Sequence, residues 1–306
     1  MLYDVIIIGS GPAGLAAGIY AQRAELNTLI IEKNPMSGGQ IINTYEVDNY
    51  PGLPGISGFE LAEKFRSHCD GLGAQFVTGD VTKFEVVDGI KKVTVDNKEV
   101  YEAKAAIIAT GADYRKLGVD GEKELSGMGV SYCATCDGAF FRNKTTVVVG
   151  GGDVAVEDAI FLARLCTKVY VVHRRHEFRA AKSLCNRLMS MENVEIIWDS
   201  VVDKIEGSDL VQAVQITNRE TKEQRRIETN GVFIAVGNTP NSDVYKGVVE
   251  MNDAGYIIAG EDCETSVPGI FAAGDIRKKP LKQIITAAAD GANAITAVEK
   301  YLNGVS

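Results

Sequence analysis

The stretch that decides the fold is Tyr3-Asp4-Val5-Ile6-Ile7-Ile8-Gly9-Ser10-Gly11-Pro12-Ala13-Gly14, at the start of a 306-residue chain. Its apolar, β-branched beginning, Tyr3 to Ile8, predicts a buried strand, and the following segment, Leu15 to Arg23, predicts a helix. The pattern Gly-x-Gly-x-x-Gly between them predicts a tight strand-to-helix turn. Strand, glycine turn and helix in this order are typical of a dinucleotide-binding unit.

Each glycine of this turn has a physical task. Gly9 permits the tight turn, Gly11 lets the backbone approach a pyrophosphate, and Gly14 lets the helix pack closely on the strand. The pyrophosphate would sit at the helix N-terminus, where unpaired N–H groups and the helix dipole favour an anion. A second apolar strand, Thr28 to Ile31, ends at Glu32, 23 residues after Gly9. We expect the Glu32 carboxylate to accept hydrogen bonds from both ribose hydroxyls, so that this nucleotide carries no phosphate there.

The same pattern returns in the middle of the chain. A predicted strand over Thr145–Val149 leads into Gly150-Gly151-Gly152-Asp153-Val154-Ala155, and a helix is predicted over Val156–Leu165. After a further strand, Lys168 to Val172, the position that held the acid in the first unit opens a basic cluster: His173, Arg174, Arg175 and Arg179. Guanidinium groups suit a phosphate dianion. The second nucleotide is therefore predicted to be NADPH, with a solvated basic helix start as the alternative interpretation.

The closing strands indicate that one unit is inserted in the other. Strands over Ala105–Ile108 and Val232–Ile234 run into the short turns Ala109-Thr110-Gly111-Ala112 and Ala235-Val236-Gly237-Asn238. A later strand that ends at Gly274-Asp275 precedes a predicted helix over Ile284–Tyr301 and would complete the first unit. The segments Val77–Val100 and Val201–Ile227 alternate apolar and polar residues around turns, which predicts antiparallel strands.

The predicted fold class is therefore α/β, with two Rossmann-like, three-layer nucleotide-binding domains. Residues 1–112 and 242–306 are expected to form the first domain, and residues 113–241 the second, with hinges near Gly111–Tyr114 and Gly237–Asn241. Such a division suits the length of the chain, which allows about two compact domains.

Composition limits the function classes. The net charge is -9, so a nucleic-acid partner is not expected, because phosphate binding normally requires a basic surface. The apolar runs are much shorter than the roughly 20 residues that cross a bilayer. The N-terminus shows no pattern of a secretory signal, and we predict a cytoplasmic location.

Two of the six cysteines form a local motif, Cys133-Ala134-Thr135-Cys136, and Asp137 follows it. Thiols at this spacing can close a disulfide and exchange it with a disulfide of another protein. A zinc site would need a second pair or suitably spaced histidines, which the sequence lacks. Asp137 is expected to relay protons during exchange, or otherwise to cap a turn. The isolated thiols are expected to be small buried hydrophobes: Cys69, Cys166, Cys185 and Cys263.

Along its whole length the sequence resembles the low-molecular-weight thioredoxin reductases of the class II pyridine nucleotide-disulfide oxidoreductases. The resemblance rests on motifs in a fixed order: the first glycine motif, Ser37-Gly38-Gly39-Gln40, Asp48-Asn49-Tyr50-Pro51-Gly52, the Cys133 motif, the basic cluster and Ala273-Gly274-Asp275. Two positions depart from the common pattern, Lys282 where an arginine is frequent and Ala289 where a glycine is common.

The resemblance implies FAD and NADPH as cofactors and assigns residues to them. The implied FAD residues are Gly9, Gly11, Pro12, Ala13, Gly14, Glu32, Lys33, Gly39, Gln40, Asn49, Val81, Ala109, Thr110, Gly111, Gly274, Asp275, Lys282, Gln283 and Ile284. The implied NADPH residues are Gly150, Gly152, Asp153, Val154, Ala155, Glu157, His173, Arg174, Arg175, Arg179, Val236 and Gly237.

The resemblance also implies the reaction, an NADPH-dependent reduction of thioredoxin. Electrons would pass from NADPH through the flavin to Cys136, the sulfur nearer the flavin, while Cys133 attacks the disulfide of thioredoxin. Because the dithiol lies in the NADPH domain, a rotation between the domains is implied. A homodimer through the FAD domains is expected as well.

Other functions stay open at this level. A related flavin disulfide reductase could serve another thioredoxin-like or peroxiredoxin-linked carrier, although such a relative usually has an additional N-terminal redox domain. A ferredoxin-fed reductase would lack the second glycine motif, and a ferredoxin–NADP reductase would lack the Cys-x-x-Cys. A flavoprotein that only senses redox state is the non-enzymatic alternative.

Overall fold

The computed structural model describes residues 1–44 and 46–304, and its elements follow one another in three segments of the chain. The first segment contains β1 (Leu2–Ile8), α1 (Pro12–Arg23), β2 (Thr28–Glu32), the 3-10 helix Gly39–Asn43, α2 (Gly58–Gly71), β3 (Gln75–Thr78), β4 (Val81–Val87), β5 (Ile90–Val95), β6 (Glu99–Ile108) and β7 (Ala112–Tyr114).

The middle segment contains β8 (Val130–Ser131), α3 (Ala134–Asp137), the 3-10 helix Gly138–Phe141, β9 (Thr145–Gly150), α4 (Asp153–Ala163), β10 (Lys168–Val172), α5 (Lys182–Met189), β11 (Val194–Ile197), β12 (Ser200–Gly207), β13 (Val211–Asn218), β14 (Gln224–Glu228) and β15 (Gly231–Ala235). The last segment contains β16 (Asn238–Pro240), the 3-10 helices Asp243–Tyr245 and Gly274–Ile276, β17 (Ile270–Ala272) and α6 (Ile284–Leu302).

The chain divides into two compact units. Unit 1 comprises Met1–Asp113 and Thr239–Ser306, and unit 2 comprises Tyr114–Asn238. The first boundary lies one residue after the predicted one, and the second lies three residues before it. Both fall within the segments predicted as hinges, Gly111–Tyr114 and Gly237–Asn241.

Unit 1 is built on a seven-stranded sheet of order β3-β2-β1-β6-β5-β4, in which β17 also pairs with β6. Strands β3, β2, β1, β6 and β17 are parallel, whereas β4 and β5 form an antiparallel hairpin against the first half of β6. Helices α1 and α6 cover one face of the sheet, with Ala17 of α1 and Ala294 of α6 in the shared core. The other face packs on Tyr245, Val249 and Ile257.

Unit 2 repeats the parallel arrangement in a five-stranded sheet of order β11-β10-β9-β15-β8. Helix α4 packs on one face through Val156 and Ile160, which share a core with Phe233 of β15. A three-stranded antiparallel sheet, β12-β13-β14, forms a second core with residues such as Val147 of β9 and Ile216 of β13.

The order of strands and helices agrees with the sequence-based expectations. The antiparallel strands expected within Val77–Val100 and Val201–Ile227 are present as β4–β6 and β12–β14. Helix α1 begins three residues earlier than predicted, at Pro12, because proline at the first helical position needs no N–H partner there.

Candidate active site and nucleotide sites

The carboxyl ends of the parallel strands of unit 1 gather the predicted FAD residues. Gly9 follows β1, Glu32 ends β2, Ala109 follows β6 and Gly274 follows β17. Parallel strands end at the same edge of a sheet, and this is where ligands of doubly wound folds bind. The first glycine turn packs tightly, because a Cβ on Gly14 would lie 1.9 Å from the carbonyl oxygen of Gly9.

Glu32 fixes the first glycine turn through hydrogen bonds from Ser10. Its buried carboxylate accepts hydrogen bonds from the main-chain N–H and the hydroxyl of Ser10 at 2.7 and 2.8 Å, and from the N–H of Asn34 at 2.9 Å. The side-chain N–H of Asn34 is a further donor, at 3.1 Å. These four hydrogen bonds fill the roughly four acceptor sites of the two carboxylate oxygens, so a ribose hydroxyl would have to replace one of them. The role of Glu32 in ribose binding stays a prediction. Lys33, the next predicted FAD residue, is exposed.

The surface beside this turn is open where a pyrophosphate would lie. A Cβ built on Gly11 meets only the carbonyl oxygen of Gly38, at 3.9 Å, and a Cβ on Gly39 meets only Gly11, at 3.5 Å. The main chain of Gly38 is fixed there, because its N–H donates to Ser10 at 2.8 Å. Ala13, in the first turn of α1, packs under Gly274, where a Cβ would approach it to 2.9 Å.

Asp275 carries a buried polar atom that no described residue satisfies, its Oδ1 oxygen. Burial raises the pKa of its carboxyl, and Lys282 and Lys279 oppose that shift. A buried unpaired acceptor is costly unless a ligand or water completes it. Hydroxyl groups of a flavin ribityl chain would supply such donors, so the residues present fit the cofactor that the sequence predicts.

Lys282 and Gln283 directly precede α6, and Gln283 is its N-cap residue. Asn49 donates its side-chain N–H to Gln283 Oε1 at 2.9 Å, which joins two predicted flavin contacts that are 234 positions apart. Lys282 lies over the ring of Tyr256, with Nζ 3.3 Å from the centroid, and donates to the main chain of Asp275 at 3.3 Å. Burial lowers the pKa of Lys282 to about 8.

The remaining predicted FAD positions differ in their surroundings. Thr110 exchanges hydrogen bonds with Asn241 through its hydroxyl at 2.8 Å and its carbonyl at 3.1 Å, so this turn is held by the returning chain. The side chain of Val81 is buried in the core of unit 1, which leaves only its main chain for a ligand. The others are Gln40 in the 3-10 helix after Gly39, Gly111 before β7 and Ile284 at the first position of α6.

A buried ion network behind Asp275 was not identified as a site feature from the sequence. Asp290 of α6 accepts two hydrogen bonds from Arg277, at 2.8 and 2.7 Å, one from Lys279 at 2.7 Å and one from the N–H of Gly274 at 2.8 Å. All three charged side chains are at most 6% exposed. The available signal was a carboxylate on the apolar face of α6, four residues before Ala294.

The second glycine turn lies at the carboxyl end of β9 in unit 2. Ala155 packs under Gly150, where a Cβ would approach it to 2.6 Å, while a Cβ on Gly152 would meet nothing within 4 Å. Asp153 caps the loop by accepting the N–H of Ala181 at 2.8 Å. The neighbouring predicted residues are exposed or half-buried: Val154 and Glu157 on α4, and Val236 and Gly237 after β15.

His173 is a packing residue under this turn. Its ring lies against Gly151, where a Cβ would be 2.1 Å from the ring, and it contacts Phe178 and Trp198. Burial lowers the pKa of His173, and its Nε2 lies 3.1 Å from the carbonyl oxygen of Glu177. The ring is only 5% exposed, so it shapes the loop that carries the arginines.

The three arginines of the basic cluster, Arg174, Arg175 and Arg179, are exposed beside the second glycine turn. Within residues 1–44 and 46–304, none of them forms a salt bridge. Their loop is fixed by its main chain, since the N–H of Arg179 donates to Gly151 at 2.8 Å and Arg219 donates to the carbonyl of Arg174 at 3.1 Å. This arrangement leaves three guanidinium groups for an anionic ligand.

Cys133 and Cys136 form a disulfide on α3, in unit 2. The N–H groups of Cys136 and Asp137 donate to the carbonyl of Cys133 at 3.3 and 3.1 Å, which closes a single helical turn. The Sγ of Cys133 lies 3.4 Å from the hydroxyl of Thr135. Both cysteines are half-buried, whereas the four other cysteines are unpaired and buried.

Asp137 lies directly after the disulfide. Burial raises the pKa of its carboxyl, and a hydrogen bond from the hydroxyl of Ser131, at 2.6 Å, opposes the shift. A raised pKa makes a carboxyl group more able to take up and release a proton during catalysis. This environment fits the proton-relay role predicted for Asp137.

Comparisons with known proteins agree with these features. The model of the family described as pyridine nucleotide-disulphide oxidoreductase matches residues 3–291. The chain is 48% identical over 304 residues to the thioredoxin reductase of Bacillus subtilis, which covers 98% of this chain and 95% of that protein. No helix among the described residues is long and apolar enough to cross a membrane.

Solved structures give the same result. The thioredoxin reductase of Streptococcus pyogenes superposes with a TM-score of 0.94 at 47% identity, and that of Giardia duodenalis with a TM-score of 0.94 at 39% identity. Each comparison covers 99% of both chains. These matches confirm the predicted α/β class and the predicted enzyme class. The chain therefore belongs to the pyridine nucleotide-disulphide oxidoreductase family, and within it to the low-molecular-weight thioredoxin reductases, which use a flavin and a pyridine nucleotide.

Proposed function

We propose that this protein reduces the disulfide of thioredoxin with electrons from NADPH, which bound FAD would pass on to the Cys133–Cys136 disulfide. The observation that carries the proposal is the half-buried disulfide on α3 with Asp137 beside it. A disulfide in this position can be opened to a dithiol and closed again by exchange.

Unit 1 supports the FAD assignment through two features. The open surface at Gly11 would accept a pyrophosphate at the N-terminus of α1, and the unpaired Oδ1 of Asp275 would accept a hydroxyl of the ribityl chain. Glu32 favours an unphosphorylated ribose, because its carboxylate would repel a phosphate at that position.

Unit 2 supports the NADPH assignment. The exposed arginines Arg174, Arg175 and Arg179 follow the strand that ends beside the second glycine turn, where a 2′-phosphate would lie. Charge-assisted hydrogen bonds from guanidinium groups to a phosphate are stronger than neutral ones. They would therefore select NADPH over NADH.

The dithiol acts by two successive displacements. The Cys133 thiolate attacks one sulfur of the thioredoxin disulfide, so that a mixed disulfide forms and the other thioredoxin sulfur leaves and takes up a proton. Cys136 then attacks Cys133, which restores the Cys133–Cys136 disulfide and releases the second thioredoxin thiol with its proton. Asp137, the residue after Cys136, would exchange these protons with the departing and attacking sulfur atoms.

The experiment is to follow oxidation of NADPH and of NADH by the purified flavoprotein, with oxidised thioredoxin and without it. Rapid oxidation that depends on thioredoxin, with NADH much less effective, is the expected result. A flavin that NADPH reduces but that gives no turnover with thioredoxin would contradict the partner assignment, and a peroxiredoxin-linked carrier would then be assayed. The homodimer and the cytoplasmic location stay predictions, and light scattering of the purified protein tests the former.

A further inference from the structure

Ser131 is a buried serine at the end of β8, two residues before Cys133. It is 5% exposed. Its strand pairs with β15, where Ser131 lies opposite Phe233, a fully packed residue of the unit 2 core. Ser131 is therefore held by the sheet, whereas the dithiol stands on a single turn of helix.

The hydroxyl of Ser131 connects three parts of the dithiol segment. It donates to Asp137 Oδ2 at 2.6 Å and accepts the N–H of Cys133 at 3.1 Å. The carbonyl oxygen of Cys133 lies 3.3 Å from the same hydroxyl. The hydroxyl has one hydrogen, and the shorter distance indicates that it points toward the carboxylate rather than toward the Cys133 carbonyl.

We propose that Ser131 is a positioning residue that fixes the Asp137 carboxylate beside the Cys133–Cys136 pair and controls its proton exchange. The inference rests on the proposed function, because it takes Asp137 as the group that exchanges protons with the dithiol. A short chain of hydrogen bonds from a rigid strand is how supporting residues hold a reactive group in its productive orientation.

The chemistry requires such control. When the disulfide is opened by two electrons, the S–S bond breaks and the sulfur atoms leave as thiolates that need protons. When the dithiol reduces the partner, those protons pass to the thiolates of the partner while the S–S bond forms again. A carboxyl group that gives a proton in one half of the cycle recovers it in the other, provided that its position and its proton affinity are fixed.

Titratable groups on the elements that pack against α3 could also contribute to a pH profile, and they determine which control variant is needed. Helix α4 packs against α3 and carries Asp153, Glu157 and Asp158. Burial, and then Glu157, raise the pKa of Asp158 to about 7, so the assay must separate this group from Asp137. The 3-10 helix Gly138–Phe141 carries no titratable side chain, and β8 carries none.

The experiment compares the pH dependence of disulfide reduction in Ser131→Ala, Ser131→Thr and the wild type. The pH limb is the part of the pH–rate profile in which Asp137 titrates. Loss of the hydrogen bond to the carboxylate should move this limb upward by about one pH unit, since the bond favours the charged form of Asp137. Turnover at neutral pH should fall by roughly tenfold or more, within the contribution of a positioned acid or base. Ser131→Thr keeps the hydroxyl and should restore both quantities.

A double variant shows whether Ser131 acts through Asp137. In Asp137→Asn, the further change Ser131→Ala should add no shift of the pH limb, because the two changes remove one interaction. Asp158→Asn is the matched control and should keep the limb of the wild type. The rate at which NADPH reduces the flavin reports whether each variant folds with both nucleotide sites intact.

Each assay is run with thioredoxin and with an aromatic small disulfide that the dithiol reduces directly. Turnover of the small disulfide alone would contradict the proposed partner but would still measure the effect of Ser131. A wild-type limb and wild-type turnover in Ser131→Ala would overturn the inference. The inference would also be overturned if Ser131→Ala shifted the pH limb by the same amount in Asp137→Asn as in the wild type.

Discussion

The carboxylate of Asp290, on α6, accepts the main-chain N–H of Gly274 at 2.8 Å and so fixes the turn that presents Asp275. The same carboxylate pairs with Arg277 and Lys279, which are 4% and 6% exposed. Two buried cations thus share one carboxylate behind the predicted flavin site. The network therefore contributes to the stability of unit 1 and also fixes the position of Asp275 in that site.

Asp290→Ala should lower the free energy of unfolding by about 3–5 kcal/mol, because it removes the buried carboxylate that both buried cations share. The other carboxylate near Arg277, that of Glu261, is 3.9 Å away and 95% exposed. Urea unfolding of the flavoprotein measures the change. Asp70→Ala is the matched control: its partner, Arg66, lies at the surface, and removal of an exposed pair should cost less than about 1 kcal/mol. Equal losses in the two variants would contradict the structural role of the network.

The contribution of Asp290 should disappear in acid. Burial raises the pKa of Asp290, but hydrogen bonds from Arg277 and Lys279 outweigh burial and hold the pKa below its ordinary value of 3.8. A carboxyl group with a lowered folded-state pKa stabilises above the unfolded-state pKa and loses that effect as pH falls through the folded-state pKa. The stability difference between the wild type and Asp290→Asn should therefore be constant from about pH 8 to 5 and shrink below pH 3.8. A difference that grows toward low pH would be inconsistent with this assignment.

Asp275→Ala should weaken FAD binding by about 1.5–3 kcal/mol, the typical value of a hydrogen bond to a charged group. The physical reason is the unpaired Oδ1, which would gain its donor only from the cofactor. Reconstitution of the apoprotein, followed by flavin fluorescence, measures the affinity. Asp243→Ala removes an 86% exposed carboxylate of the same unit and should leave the affinity unchanged. Unchanged affinity in Asp275→Ala would rule out the predicted contact.

Replacing Arg174, Arg175 and Arg179 by alanine should weaken NADPH binding much more than NADH binding. Each lost charge-assisted hydrogen bond to the 2′-phosphate should cost about 1.5–3 kcal/mol, or roughly 10- to 150-fold. The Michaelis constants for both nucleotides measure the effect. Arg164→Ala, an exposed arginine after α4, is the control. Equal losses for NADPH and NADH would refute the assignment of a phosphate site.

Cys133→Ser should retain flavin reduction by NADPH and abolish thioredoxin reduction, because a hydroxyl cannot attack the partner disulfide as a thiolate does. Stopped-flow absorbance measures the first step, and steady-state NADPH oxidation measures the second. Cys166→Ser is the matched control, since its buried sulfur forms no disulfide and donates to the carbonyl of Phe141 at 3.2 Å, a bond that serine can also make. Full turnover of Cys133→Ser with thioredoxin would show that the exchange role is wrong.

The sequence by itself determined both nucleotide-binding folds and the redox motif. Glycine turns, their strands and the Cys133–Cys136 pair each lie within a short segment, and local steric rules are enough to interpret them. The predicted order of strands, the insertion of one unit in the other and the fold class all follow from such segments. The fold class is confirmed by the similar solved structures, and in the structure unit 2 lies, along the chain, between the two segments of unit 1.

Tertiary structure alone decided which polar groups support the sites. The Asn49–Gln283 and Thr110–Asn241 pairs join residues 234 and 131 positions apart, which no local pattern predicts. Asp290 and Ser131 have ordinary surroundings in the sequence, and they become supporting residues because packing buries them beside Gly274 and Asp137. Burial removes water as the alternative partner, so each buried polar group must find its partner in the fold, and only the packed chain determines which partner that is.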